Sequence, residues 1–239
     1  MEDDGVSWAR LRERLLSRGR MPALPEGWRH QSAMLAAHGH AYGGDFIVAD
    51  LRAATGRLLR TVLVDVCGGG ETAVPAALQF AGALESLIPV VPGDELLPDA
   101  NAYLLRQPSE EAIATAVQLD LDLATGDYLI RSAGHPPALV WSGEERRWRI
   151  DNARGTALGV SVEPEIVESG GVLAPGDALL FYTDGVVESR SADIEVGIAW
   201  LQETARASYL TGWEGAARRI IDRVDRGDDD RAVLILARD

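Results

Sequence analysis

From Leu58 to Val66 the chain is apolar or Thr at nearly every position, broken only by Arg60 and Asp65, and it stops at Cys67-Gly68-Gly69-Gly70. That pattern predicts a strand buried on at least one face, ended by an open loop. Upstream, Asp45 to Leu51 reads as a partner strand joined through a turn at Ala54-Thr55-Gly56, so the two form a hairpin with Asp45 and Asp65 at the same outer end. Downstream the period lengthens. Thr72 to Leu87 is rich in Ala and Leu, tolerates Pro75 only in a first turn and halts at Pro89, and a second helix covers about Gly93 to Arg106.

Strict alternation returns at Val117, Leu119, Leu121 and Leu123, separated by Gln118, Asp120 and Asp122, the signature of a half-buried antiparallel strand. Ala124-Thr125-Gly126-Asp127 turns it into a strand from Tyr128 to Ala133, and a short strand covers Ala138 to Trp141. Ala174-Pro175-Gly176-Asp177 is a turn that sets up the strand Ala178 to Tyr182, which ends in Thr183-Asp184-Gly185-Val186. Two helices follow, the second with Trp213, Ala216, Ala217, Ile220, Ile221 and Val224 on one face. Asp228-Asp229-Asp230 leads into a last strand, Arg231 to Ala237. At the other end, Trp8, Leu11, Leu15 and Leu16 have helical spacing, and Met21 to Trp28, with two prolines and a glycine, separates that helix from the rest.

Composition narrows the function classes. At 239 residues and 46% apolar content the chain suits one compact domain with a short N-terminal appendage. A formal charge of -14 disfavours nonspecific binding to nucleic acid or an anionic membrane, while it suits a cation or a basic partner. All 23 basic residues are arginine, which removes a P-loop lysine and a Schiff-base lysine. The lone Cys67 excludes an intrachain disulfide and a four-cysteine zinc site. With no apolar run of membrane-spanning length and an acidic start at Met1-Glu2-Asp3-Asp4, the expected location is cytoplasmic.

Four places put aspartate at a strand end beside glycine: Asp45, Asp65, Asp184 and the run ending at Asp230. Each pair alone reads as an ordinary turn. Together they raise the question of counter-charge, since two carboxylates about 4 Å apart repel by roughly 4 kcal/mol at an effective dielectric near 20. Hard divalent cations such as Mg²⁺ and Mn²⁺, which take carboxylate oxygens, fit that need.

Gly43-Gly44-Asp45-Phe46, Asp65-Val66-Cys67-Gly68-Gly69-Gly70, Ser132-Ala133-Gly134-His135-Pro136-Pro137, Pro175-Gly176-Asp177, Tyr182-Thr183-Asp184-Gly185-Val186-Val187-Glu188 and Asp229-Asp230 occur in this order. The ordered set resembles the SpoIIE or RsbU type of PPM (PP2C-like) serine phosphatase domain. The resemblance implies an α+β fold, an α-β-β-α sandwich of two antiparallel sheets flanked by helices, with residues 1–27 a helical lead-in and linker and 28–239 the phosphatase domain. It also implies two Mn²⁺ or Mg²⁺ ions held by Asp65, Asp184 and Asp229, with a backbone carbonyl beside the second motif, at Val66, and Asp45 in the same acidic site. Asp65 and Asp184 would carry the catalytic centre, where a water shared by the metals attacks phosphorus in line. The implied substrate is a phosphorylated regulatory protein, such as an anti-sigma-factor antagonist, and similar domains dimerise through the helical lead-in.

The chain departs from the family pattern at two places. Where members read Asp-Val-Ser-Gly-His-Gly, Cys67 replaces the serine and Gly69 the histidine, and Phe46-Ile47-Val48 stands where Phe-Tyr-Asp is common. These changes keep a second reading open, a catalytically inactive regulatory module on the same fold. Other readings are weaker. Gly68-x-Gly70 after a strand suits a dinucleotide turn, but no parallel strand with an acidic residue follows. Cys67 lacks the arginine of a cysteine phosphatase loop and reads as a small buried residue. His135 reads as a turn histidine satisfied by backbone, with general acid the alternative.

Overall fold

The computed structural model describes residues 21–37, 43–52, 56–68, 73–108, 112–188, 194–224 and 229–239. The expected N-terminal helix through Trp8 and Leu15 lies outside them, as do Gly69 and Gly70. Among the described residues, ten strands form two antiparallel sheets. The first has the order β1-β10-β9-β6-β7, built from β1 (Trp28–Leu35), β6 (Leu139–Ser142), β7 (Arg147–Ile150), β9 (Ala178–Tyr182) and β10 (Arg231–Arg238). The second runs β2-β3-β4-β5-β8, from β2 (Phe46–Leu51), β3 (Leu58–Val66), β4 (Ala114–Asp122), β5 (Asp127–Ala133) and β8 (Val167–Val172). Helices α1 (Val74–Leu87) and α2 (Gly93–Leu104) cover the second sheet, and α3 (Ile194–Thr211) and α4 (Ala216–Ile221) cover the first.

Period-two alternation sorts the apolar side chains into three layers. Ile47, Leu59, Leu63, Leu119, Leu121, Leu179, Phe181, Leu234 and Leu236 fill the space between the sheets. Their sequence neighbours face outward: Val62, Val64 and Val66 meet Phe80 and Leu84 of α1, while Leu180, Val233 and Ile235 meet Ile198, Leu201 and Ile220 of α3 and α4. The Trp28 indole N–H donates to the Leu123 carbonyl at 2.7 Å and ties the two sheets together at one edge. The result is the expected α-β-β-α sandwich.

Pro75 falls in the first turn of α1, where its missing N–H costs nothing. The expected second C-terminal helix is shorter than its apolar face: only 216–221 are helical, and Trp213 and Val224 pack on the same core from outside it. Strands β1, β7 and β8 answer no sequence expectation. The hairpin of β2 and β3 is as read, with Phe46 opposite Val64 and Leu51 opposite Leu59.

Candidate metal centre

Strand parity builds the site. Counting two residues beyond the last inter-sheet apolar side chain reaches Asp45 from Ile47, Asp65 from Leu63, Thr183 from Phe181, and Asp230 from Ala232. Because β2 and β3 are antiparallel with Phe46 opposite Val64, Asp45 and Asp65 emerge at one end, facing each other across the register. The antiparallel pair β9 and β10, with Val233 opposite Tyr182, brings Thr183 and Asp230 out together. Asp184 opens a short 3-10 turn after β9, and Asp229 is exposed just before Asp230. The inter-sheet layer thus ends in acids where it would otherwise end in water.

The carboxylates feel one another. Burial, then the charges of Asp184 and Asp229, push Asp65 up to about 8. Asp45 is held well above the usual carboxylate range by burial and then by Asp65, and Asp184 is raised by burial and then by Asp229 and Glu188. Asp65 and Asp184 also hydrogen-bond to each other. Among the described residues none of these side chains is ion-paired with arginine. Asp45 accepts a hydrogen bond from the Thr183 hydroxyl on Oδ2 at 2.7 Å, and its Oδ1 is buried with no partner. Among the described residues no three His, Cys, Asp or Glu side chains close into a ready ion cage. The acids converge on one edge.

Glycine explains the close approach at the mouth. A Cβ at Gly43 would land on the Asp230 carboxylate, and one at Gly44 would lie 2.7 Å from the Val66 carbonyl oxygen. The structure therefore brings the Val66 carbonyl, Asp45, Asp65, Asp184 and Asp229 to one edge. Two contributors were not singled out from sequence: Thr183, fully buried, and Asp230, which accepts N–H groups from Ala37 at 2.8 Å and Gly44 at 2.5 Å. The same parity count identifies both.

One expectation needs correction. Cys67 is exposed, not a buried filler, because the chain leaves the sheet at Val66. Partial burial and the Asp65 and Asp184 charges raise its thiol, so it stays protonated. His135 is buried as read, and its ring meets the Thr115 hydroxyl at 2.8 Å through Nδ1 in addition to a backbone interaction at Tyr182. Burial lowers it to about 3, so it is neutral and no general acid near pH 7. The dinucleotide reading fails as well, since β3 and β4 are antiparallel.

The fold and this acidic edge define a PPM-type phosphatase domain. The family model of Stage II sporulation protein E (SpoIIE) matches residues 55–239. The phosphoserine phosphatase RsbP of Bacillus subtilis is 29% identical over 134 residues, covering 53% of this chain and 32% of RsbP. The RsbU and RsbW domains of Rv1364c from Mycobacterium tuberculosis superpose with a TM-score of 0.71 at 26% identity, over 92% of this chain and 63% of that one. The PP2C phosphatase domain of SpoIIE from Bacillus subtilis has the same fold, with a TM-score of 0.76 at 18% identity over 89% and 64% of the two chains. The chain spans between 32% and 40% of the length of the curated relatives it matches. It belongs to the SpoIIE family, the SpoIIE/RsbU type of PPM phosphatase.

Proposed function

We propose that the chain is a Mn²⁺- or Mg²⁺-dependent protein phosphatase acting on phosphoserine or phosphothreonine, with residues 28–239 as its phosphatase domain. Asp65, Asp184, Asp229 and the Val66 carbonyl would hold two ions, and Asp45 completes the acidic site. The observation that carries this reading is the run of carboxylates at one sheet edge with no ion-pair partner among the described residues, one of whose oxygens, Asp45 Oδ1, is buried and unsatisfied. A buried carboxylate oxygen without a donor is costly unless something cationic meets it. The donor set is all hard oxygen, which fits Mg²⁺ or Mn²⁺ and not a soft metal.

When bound, such cations supply the Lewis acidity that makes water a nucleophile at neutral pH and offset charge on the phosphoryl oxygens. The chain's own residues do the rest. Asp65, near the end of β3, and Asp184, in the turn after β9, would meet the cations as carboxylate ligands. The paired strands hold them with little reorganisation to pay during reaction. His135, neutral and bound to Thr115, stays out of proton transfer.

The proposed substrate is a phosphorylated regulatory protein, such as an anti-sigma-factor antagonist, in the cytoplasm; the phosphoserine phosphatases among the relatives support the phosphoserine part of this reading. By the same reading the chain pairs with a second copy through residues 1–27. Phosphate release from a phosphoserine peptide, with and without Mn²⁺ and with Asp184→Ala beside the wild type, tests the reading. Manganese-dependent release lost in the variant supports it. Manganese binding with no release on any phosphopeptide favours the inactive regulatory module instead, consistent with the Cys67 and Gly69 departures.

A further inference from the structure

We propose that Thr183 and Asp230 are positioning residues that aim the Asp45 carboxylate at the cation site, and that Asp230, unlike its neighbour Asp229, is not itself a ligand. The inference rests on the metal-dependent reading above. Both residues are anchored at the start of β10, and each reaches Asp45 by a separate route.

Thr183 lies at the end of β9 and is fully buried. Its Oγ1 accepts the Ala232 N–H at 2.8 Å, so the single hydroxyl proton is free to be donated, and it goes to Asp45 Oδ2 at 2.7 Å. With Oδ2 held in this way, Oδ1 is turned into the buried space where it has no partner. The backbone N–H of Ala232 thus fixes a hydroxyl that fixes a carboxylate.

Asp230 acts on the backbone that carries Asp45. Its Oδ1 accepts the Ala37 N–H at 2.8 Å and its Oδ2 the Gly44 N–H at 2.5 Å, one residue before Asp45. Both oxygens are engaged by main chain, and Gly43 packs where any side chain would displace them. Asp229 is exposed beside it, with Oδ1 accepting the Asp230 N–H at 2.8 Å. Two consecutive aspartates therefore do different work, one facing the edge and one strapping the Gly43-Gly44-Asp45 segment to β10.

Outer partners that orient metal ligands are worth roughly tenfold to a hundredfold in metal affinity. The test is a double-mutant cycle on Mn²⁺ affinity, read by titration calorimetry, with Thr183→Val, Thr183→Ser and Asp230→Asn made in the wild type and in Asp45→Asn. Thr183→Val should weaken Mn²⁺ binding about tenfold, and so should Asp230→Asn, whose amide cannot accept both N–H groups. Thr183→Ser keeps the hydroxyl and should bind as the wild type does. In Asp45→Asn neither Thr183→Val nor Asp230→Asn should weaken binding further. Losses that persist in full in that background, a Thr183→Val that binds as tightly as the wild type, or a Thr183→Ser as weak as Thr183→Val would overturn the inference. Should Thr183→Val lose its circular-dichroism fold signal, the Asp230→Asn cycle and the Thr183→Ser comparison decide. A wild type that binds no Mn²⁺ fails the metal reading itself, an outcome distinct from a wild type that binds normally with an additive cycle.

Discussion

His135 Nδ1 lies 2.8 Å from the Thr115 hydroxyl, and Thr115 stands opposite Asp65 in the register of β3 and β4. A neutral imidazole therefore sits one strand from the acidic edge. Burial lowers His135 from 6.5 to about 3, so in the pH window between those values the unfolded chain binds a proton that the folded chain refuses. Stability is fully present above 6.5 and is lost as pH falls toward 3, at up to about 1.4 kcal/mol per pH unit. Urea midpoints measured between pH 4 and 7 should show this slope, and His135→Gln should flatten it. The pH–rate profile should carry no limb from this histidine.

The acidic edge imposes the opposite dependence on the metal-free chain. Asp65 moves from 3.8 to about 8 on folding, so its contribution is present below pH 4 and lost as pH rises through 8. Asp65→Asn should raise metal-free stability at pH 8 while abolishing stabilisation by Mn²⁺. In the wild type, saturating Mn²⁺ at a hundredfold over its Kd should add about 2.7 kcal/mol. Thermal melts in chelator and in Mn²⁺ measure both effects.

Beneath the elbow between α1 and α2, Arg60 Nε meets Asp120 Oδ1 at 2.5 Å and donates through Nη1 to the Val91 carbonyl at 2.7 Å. Arg131 meets the other Asp120 oxygen at 2.6 Å. Both guanidinium groups are buried; Arg131 keeps Glu168 at 2.6 Å, so Asp120→Ala strands the Arg60 cation and should cost about 3 kcal/mol. Asp222→Ala, which breaks the exposed pair with Arg218, should change stability by less than about 0.5 kcal/mol. Denaturant titration of the two variants makes the contrast.

Asn101 on α2 is buried, accepting the Gly159 N–H at 2.8 Å and donating to the Ser161 carbonyl at 2.9 Å. Asn101→Ala leaves these groups unpaired and should cost about 2 kcal/mol. Limited proteolysis should then cut first near residues 159–164.

The parts of the fold legible in sequence are those with two different faces or two buried ones. Strands β3 and β9 were read to the residue because their runs are apolar on both sides, against a helix and against the other sheet. Strand β1 was not, since the positions sharing its inter-sheet face include His30 and Ser32 at the margin of the sheet, which erases the alternation. Strand β8 carries Gly170 and Gly171 on an exposed edge and gives no apolar signal at all. Pro98 stands inside α2, where propensity alone argues against a helix, and packing of Leu96, Leu97, Ala100 and Leu104 overrides it.

At the site, the strand-end aspartates were visible as residues but their convergence was not. It depends on which strands are neighbours in each sheet, a matter of topology. Asp230 shows the difference: as sequence it belongs to a charge run before the last strand, and as structure it is a buried anchor for two backbone N–H groups from the other end of the chain. Cys67 departs from its expected burial because that expectation rested on the usual burial of cysteine, whereas here it stands just past the end of the strand at Val66.

The most direct test of the central claim is anomalous diffraction from crystals grown with Mn²⁺. The account predicts manganese peaks at the edge formed by Asp65, Asp184, Asp229 and the Val66 carbonyl, absent in crystals of Asp184→Ala. No peak there, or manganese held only elsewhere on the surface, would contradict it.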